Sequence, residues 1–300
     1  MSAPHIAGFM DRMNEVGLGW DDPRYSEPID DGTLHRYHVD GDKSGNYNGW
    51  YVLHGGRYPA GAFGSWRTGE SITWSMKDDK TLSPYELEEM HQQRKQQRDK
   101  LNRDIADSRE KAYQACRNIW SKSTYPEPNH PYLIKKQVGI FGIRQYKDLL
   151  VIPVQDVSGQ LVSLQFISPS GEKRFKSGGK VKGCFHRIGK PKDKIIYIAE
   201  GYATAATIHE PTGHSVAVAF NAGNLEDVAL ALRGKYPDYQ LIICADNDRF
   251  TKGNPGLTKA LKAALLADAG VLTPSFADDE SGSDFNDRYL LDINAEVKSD

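Results

Sequence analysis

Two short apolar runs in this chain each hand an acid to a turn. Lys194-Ile-Ile-Tyr-Ile-Ala199 stops at Glu200, and Leu241-Ile-Ile-Cys-Ala245 stops at Asp246-Asn-Asp248. Runs this brief and this rich in β-branched residues read as buried parallel strands, and the acid then stands at the strand's C-terminal end, the edge where open α/β sheets bind ligands. A third acidic turn, Gly282-Ser-Asp284-Phe-Asn-Asp287, follows the last predicted strand. Carboxylates gathered at one edge repel one another unless a cation lies among them, and an all-oxygen donor set suits Mg²⁺ or Mn²⁺. An EF-hand is excluded at Asp246, because Leu257 stands where the closing Glu belongs.

The elements that must bring these acids together alternate strand with helix. Strands are predicted over 194–199, 215–220, 239–245 and 271–276. Helices are predicted from Tyr202 to His209, from Leu225 to Arg233 with Asn224 as N-cap and Gly234 as stop, and from Pro255 to Ala269 with Asn254 as N-cap and Gly270 as stop. Helical connections of this length imply right-handed crossovers and a parallel sheet. Just upstream, Lys173, Arg174, Lys176, Lys180, Lys182, Arg187, Lys190, Lys192 and Lys194 form a basic segment, a local polyanion site in a chain whose net charge is -2. Before it, 148–154 and 161–167, joined by the turn Asp156-Val-Ser-Gly159, read as a hairpin.

Nearer the N-terminus, Ile6, Phe9, Met10, Met13 and Val16 have helical spacing, and aromatic strands are predicted over 33–39, 49–54 and 61–66. Asp40-Gly-Asp42-Lys-Ser44-Gly45 imitates half an EF-hand loop, but strands flank it and Tyr51 stands at position twelve, so it reads as a hairpin turn. Trp50, Tyr51, Trp66 and Arg67 fit two roles: a stacking surface for single-stranded DNA, or large side chains that a small sheet needs in order to fold. Ser83-Pro-Tyr-Glu86 is a capping box that starts a long helix. Its middle, His91 to Lys100, is polar all round and bridges through solvent, whereas Leu101, Ile105, Ala112, Cys116, Ile119 and Trp120 are expected to pack. The expected organisation is an N-terminal helix and β module over 1–80, a bridging helix over 81–126, a mixed β basic subdomain over 127–193 and an α/β domain over 194–300.

Composition narrows the function classes. A hydrophobic share of 39% and a charged share of 26% over 300 residues are those of a soluble globular chain. Cys116, Cys184 and Cys244 are widely spaced, so no zinc ribbon or disulfide framework is written, and no zinc is expected. With no apolar run approaching 18 residues and no basic-then-apolar leader, a cytoplasmic chain without a membrane span is expected. Neither Gly-x-x-x-x-Gly-Lys-Ser/Thr nor a well-placed Gly-x-Gly-x-x-Gly occurs, so the chain is not a self-contained ATP-driven motor.

Ile198-Ala-Glu200-Gly-Tyr-Ala-Thr204, Ala245-Asp246-Asn-Asp248 and Ser283-Asp284-Phe-Asn-Asp287 together resemble the TOPRIM domain of bacterial (DnaG-like) primases, topoisomerases and certain nucleases. The wording is most similar to primases borne by phages and conjugative plasmids, which also carry a stretch like Leu150-Val-Ile-Pro-Val154, a basic run like Lys173-Arg-Phe-Lys-Ser-Gly-Gly179 and a lead-in like His130-Pro-Tyr-Leu-Ile-Lys135. The resemblance extends over about Asn129 to Leu291. It implies a Rossmann-like α/β TOPRIM catalytic domain preceded by a mixed α+β subdomain, with the aromatic-rich β module joined by the long helix. It further implies RNA primer synthesis from NTPs on a single-stranded DNA template, in phage or plasmid replication or transfer, alongside a separately encoded replicative helicase. On that reading Asp246, Asp248 and Asp284 are Mg²⁺ (or Mn²⁺) ligands, with Asp287 as a further one. Glu200 is another ligand or the general acid/base, and Lys173, Arg174, Lys176, Lys180 and Lys182 hold the triphosphate or the template backbone. The competing expectations are a TOPRIM nuclease and a nucleic-acid-binding accessory module with an inactive site.

Overall fold

The computed structural model describes residues 3–22, 24–39, 47–65, 70–77 and 82–299. The expected hairpin turn at 40–46, together with Trp66 and Arg67, lies outside the described residues. Two compact units are present, Met1–Arg103 and Asp104–Asp300. Among the described residues no helix is long and apolar enough to cross a membrane.

In the first unit α1 (Pro4–Glu15) buries Ile6, Phe9 and Met13. It packs on an antiparallel sheet of β1 (His35–Tyr37), β2 (Gly49–His54), β3 (Ala60–Ser65) and β4 (Glu70–Ser75), ordered β1-β2-β3-β4. The fourth strand is additional to the three expected. The ring of Phe9 meets Phe63 at 5.3 Å and Trp74 at 5.4 Å, both edge-on. Strand alternation turns Gly49, Tyr51 and Leu53 inward and leaves Trp50, Val52 and His54 half-buried. Of the two roles open to Tyr51, its burial fits core filling: it is only 1% exposed, and its oxygen accepts a hydrogen bond from the Ile29 amide at 2.9 Å.

Helix α2 (Pro84–Lys122) runs 39 residues and belongs to both units. Its capping box is formed: the Ser83 amide donates to Glu86 Oε2 at 3.0 Å, and the Glu86 amide donates to Ser83 Oγ at 3.3 Å. Within the second unit Ala112 and Cys116 are buried, and Ile119 and Trp120 pack beside the Val151–Leu164–Phe166 cluster. Ile105, expected to pack, stays exposed, since the buried stripe starts only at Ala112.

The second unit continues with α3 (Pro131–Lys136) and an antiparallel sheet of β5 (Arg144–Tyr146), β6 (Leu149–Gln155), β7 (Leu161–Ile167) and β8 (Lys173–Phe175). Then come β9 (His186–Ile188), β10 (Ile195–Ala199), α4 (Tyr202–Thr212), β11 (Ser215–Val218), a 3-10 turn over Ala222–Asn224, α5 (Leu225–Lys235), β12 (Gln240–Cys244), α6 (Pro255–Ala267), β13 (Gly270–Leu272) and α7 (Phe285–Ser299). These strands form a sheet ordered β13-β12-β10-β11-β9, in which β9 is the antiparallel edge and the other four are parallel. Ala199, Val216, Val218 and Cys244 pack with α4 and the β6–β7 hairpin, while Ile196, Ile198, Ala217 and Ile243 pack with α5 and α6. Both faces are therefore covered, as a parallel sheet requires.

Several expected boundaries shift. The last strand ends at Leu272 rather than Phe276. Gly234 lies inside α5, and α6 closes on Asp268 in the left-handed region, with Gly270 opening β13. Asn224 does not cap α5 with its side chain. That side chain, only 4% exposed, donates to the carbonyls of Cys184 at 3.0 Å and Ala219 at 2.9 Å and accepts from the Gly183 amide at 2.8 Å, tying the end of the basic segment to the parallel sheet. Asn224→Ala leaves these buried groups unpaired, at about 1–3 kcal/mol each for those that water cannot reach. The expected result is a thermal midpoint lower by roughly 5–10 °C, read by calorimetry.

Candidate active site

The parallel pairing of β10 with β12, Ala199 level with Cys244, sets Glu200 and the Asp246–Asp248 turn at the same sheet edge. Two further contacts hold that turn in place. The Gly256 amide, in the first turn of α6, donates to Asp248 Oδ2 at 3.0 Å. A Cβ on Gly256 would stand 2.8 Å from the Asp246 carbonyl oxygen and 2.9 Å from Asp248 Oδ2, so only glycine lets the helix start approach this closely. The third acidic turn joins the second through backbone: the Asn247 amide donates to the Ser283 carbonyl at 2.6 Å. Arg249 adds a clamp, donating to the carbonyls of Phe276 at 3.2 Å and Ala277 at 2.9 Å, and also to that of Glu280.

Glu200, Asp246 and Asp284 line one cleft, with Lys173, Lys136, Tyr132 and the first turn of α4. Asp248 stands beside them, its charge raising the pKa of both Glu200 and Asp246. Burial first, then the carboxylates of Glu200, Asp284 and Asp248, push Asp246 up to about 8, against the pull of Lys173. Burial also raises Glu200, opposed by the Ala222 amide and by Lys173 and Lys259. Asp246 Oδ1 is buried and has no hydrogen-bond partner. No three acidic, histidine or cysteine side chains among the described residues are drawn close enough to share an ion as they lie. Even so, a buried orphan carboxylate oxygen among like charges is the donor chemistry that fits a hard divalent cation.

Asp287 is placed otherwise. Its Oδ2 accepts from the Ser283 amide at 3.1 Å, its Oδ1 pairs with Lys136 Nζ at 3.3 Å, and its own amide donates to Asp284 Oδ1 at 2.8 Å. This reciprocal box starts α7 and aims Asp284; Asp287 itself does not line the cleft. Among the five basic residues singled out from the sequence, only Lys173 lines the cleft. The β8 alternation sends Arg174 to the opposite face, its guanidinium 6.0 Å from the Phe166 ring. Lys176 neighbours the Cys116 thiol, Lys180 that of Cys184, and Lys182 lies 3.5 Å from Asp227.

Sequence reasoning did not single out Lys136, Tyr132 or Lys259. The first two lie in the Pro131-Tyr-Leu-Ile-Lys-Lys136 helix, whose short apolar pattern gives no chemical signal. Asn286 holds that helix to the site, donating to the Lys136 carbonyl at 2.8 Å and to Thr207 Oγ1 at 2.9 Å. Phe220, two residues past β11, lines the cleft with φ of 72°, a left-handed conformation that costs a bulky residue energy and that concentrates at functional sites.

Residues 195–292 match the Toprim domain family. That match lies within the second unit of the chain. Two curated relatives, both DNA primase TraC from Escherichia coli, are 36% identical over 275 residues and 35% identical over 292 residues. The matches take in 86% and 91% of this chain but only 25% and 20% of those proteins, so the chain spans about a quarter of the length of the relatives it matches. Among solved structures, the DnaG primase catalytic domain bound to ssDNA aligns with 65% of this chain and 78% of its own at 12% identity and a TM-score of 0.43. The family match thus runs from β10 into α7, and the similarity to the TraC primases reaches upstream of it.

Proposed function

We propose that this chain is the catalytic portion of a DNA primase, which joins ribonucleoside triphosphates into short RNA primers on a single-stranded DNA template during plasmid or phage replication or transfer. The observation that carries the reading is the meeting, at one edge of a parallel sheet, of Glu200, Asp246 and Asp284 with Lys173 over them, in a chain homologous to TraC primases. Topology alone would suit many chemistries. Buried acids with a cation and an unpaired carboxylate oxygen suit phosphoryl transfer.

In this proposal Asp246, Asp248 and Asp284 hold Mg²⁺, or Mn²⁺ in its place. A bound divalent ion neutralises phosphate charge and eases loss of the proton from the attacking 3′ hydroxyl. Glu200 either completes the ligand set or takes that proton, a role its burial-raised pKa suits. Lys173 meets the triphosphate. Asp287 serves as a positioning residue for Asp284. Arg174, Lys176, Lys180 and Lys182, which do not line the cleft, serve the template backbone. Among the described residues Trp50, half-buried on the outward face of β2, is the candidate for base stacking in the first unit. A separately encoded helicase is the proposed partner that supplies single-stranded template.

Incubating the chain with single-stranded DNA, labelled NTPs and Mg²⁺ tests the reading. Short extension products that require both template and metal are expected. Cleaved DNA with no extension would make the chain a nuclease, and retention of DNA without either product would make it an accessory module; each result overturns the proposal.

A further inference from the structure

A second cavity lies away from the carboxylates, on the α5 face of the parallel sheet. Its floor is the start of β10 and β11, where Ile196 and Ser215 are level, and its sides are β9, α5 and the turn between β6 and β7. Ile196 precedes Glu200 by four residues, about 13 Å along a strand. The two spaces share no lining residue. Phe185, Ile196, Ala217, Leu232 and Tyr236 give the cavity apolar walls. Its volume of about 140 Å³ is close to that of an engineered apolar cavity, about 150 Å³, that takes up benzene. One six-membered ring fills such a space.

Polar groups on the same walls are left without full use in the folded chain. Ser215 is 1% exposed, and its Oγ is buried with no hydrogen-bond partner. Strand alternation puts Ser215 on the same face of β11 as Ala217, and both line the cavity. Buried hydroxyls ordinarily find a partner, so this one is a donor in want of an acceptor. Arg187 of β9 is level with Ala217 across the antiparallel pair, which sets the two side chains on one face. Its guanidinium pairs with no carboxylate among the described residues. Lys235 of α5 donates to the Val157 carbonyl and keeps two further N–H groups. Asp156 lines the cavity too, but its Oδ1 is taken by the Ser158 amide and hydroxyl and by the Gln160 amide. Two cations against one carboxylate leave the lining net positive.

We propose that this cavity binds a single-ring anion, with the ring between the apolar walls, a ring oxygen accepting from the Ser215 hydroxyl, and the anionic group held at the mouth by Arg187 and Lys235. Two sources share that chemistry. A pyrimidine nucleotide brings ring carbonyls and a phosphate, and a hydroxylated aromatic acid brings a phenol oxygen and a carboxylate. The site stands apart from the active-site reading and holds whether or not that reading does.

Calorimetric titration of the full chain in EDTA, with uridine monophosphate and separately with 4-hydroxybenzoate, reads the two sources. EDTA removes the divalent cation without which the acids of the other cleft repel a phosphate. Saturable one-to-one binding tighter than about 1 mM is expected for at least one probe, and the tighter of the two names the source. Adenosine monophosphate, whose base has two fused rings, is expected to bind about tenfold or more weakly than that probe, since overfilling a packed space is costly. Ser215→Ala removes a hydroxyl that bonds nothing in the free chain, and should weaken the probe by about 3- to 10-fold, the range of one neutral hydrogen bond. Arg187→Gln, an exposed change, should weaken it by about tenfold or more, as for a bond to a charged group. Asp246→Asn should bind the probe as the wild type does. Absence of binding by both probes, adenosine monophosphate binding equally well, or affinities within twofold of wild type in both Ser215→Ala and Arg187→Gln would each overturn the proposal. Loss of binding in Asp246→Asn would do so as well, because it would place the probe in the catalytic cleft.

Discussion

Asp246→Asn is expected to reduce primer synthesis by about 10³-fold or more, because losing one preorganised charge-stabilising group in a water-excluded site commonly costs on the order of 10²–10³, and a metal ligand more. The argument starts from position. Asp246 is the acid most surrounded by others, with Glu200, Asp284 and Asp248 all raising its pKa, and its Oδ1 is buried without a partner. An amide keeps the size but loses the charge, so the oxygen that remains is a poorer ligand for a hard cation. Glu200→Gln is expected to act similarly, through the cleft it shares with Asp246. Binding of single-stranded DNA should survive both changes, since Arg174, Lys176, Lys180 and Lys182 stand apart from the acids. The check is product per enzyme in the labelled-NTP assay beside a filter-binding measurement. Synthesis within tenfold of wild type by either variant would remove these acids from the chemistry.

The second large effect concerns stability in the absence of metal. Asp246 is pushed up to about 8 in the folded chain from an ordinary value of 3.8. Between those values the folded chain keeps a proton that the unfolded chain has released, so stability is greatest below about pH 4 on this group's account and declines as pH rises toward 8. The slope approaches about 1.4 kcal/mol per pH unit for one proton, which for a unit of this size is a few degrees of melting temperature per pH unit. In EDTA, the wild-type midpoint should therefore fall more steeply between pH 6 and 8 than that of Asp246→Asn, and the variant should be the more stable of the two at pH 8. Added Mg²⁺ should restore the wild type more at pH 8 than at pH 6 and leave the variant nearly unmoved, since a ligand stabilises only the state that binds it. Parallel wild-type and variant curves in EDTA would show that Asp246 does not carry the repulsion.

Much of the site was legible because each acid ends an element with its own pattern. An apolar run that stops at Glu200, a second that stops at Asp246 and a capping turn at Asp284 are local facts, and right-handed crossovers bring such ends to one edge. Which of the basic residues reach the acids was not legible, because a list of lysines carries no facing. Strand β8 sends Lys173 and Arg174 to opposite faces, and Lys176, Lys180 and Lys182 go to other neighbours. Strands β8 and β9 are three residues each and crowded with charge, too short for a period-two pattern to show.

The amino-acid order by itself determined the parallel α/β sheet, the three acidic turns at its edge, the capping box at Ser83 and the class of cation that oxygen donors prefer. Tertiary structure alone decided that Tyr51 fills a core, that Asp287 braces Asp284 instead of entering the cleft, and that α3 brings Tyr132 and Lys136 to the acids from more than sixty residues upstream of Glu200. The division has a physical cause. Periodicity and capping are written within a few residues, whereas facing and juxtaposition depend on how sheets and helices pack across distances the linear pattern does not encode.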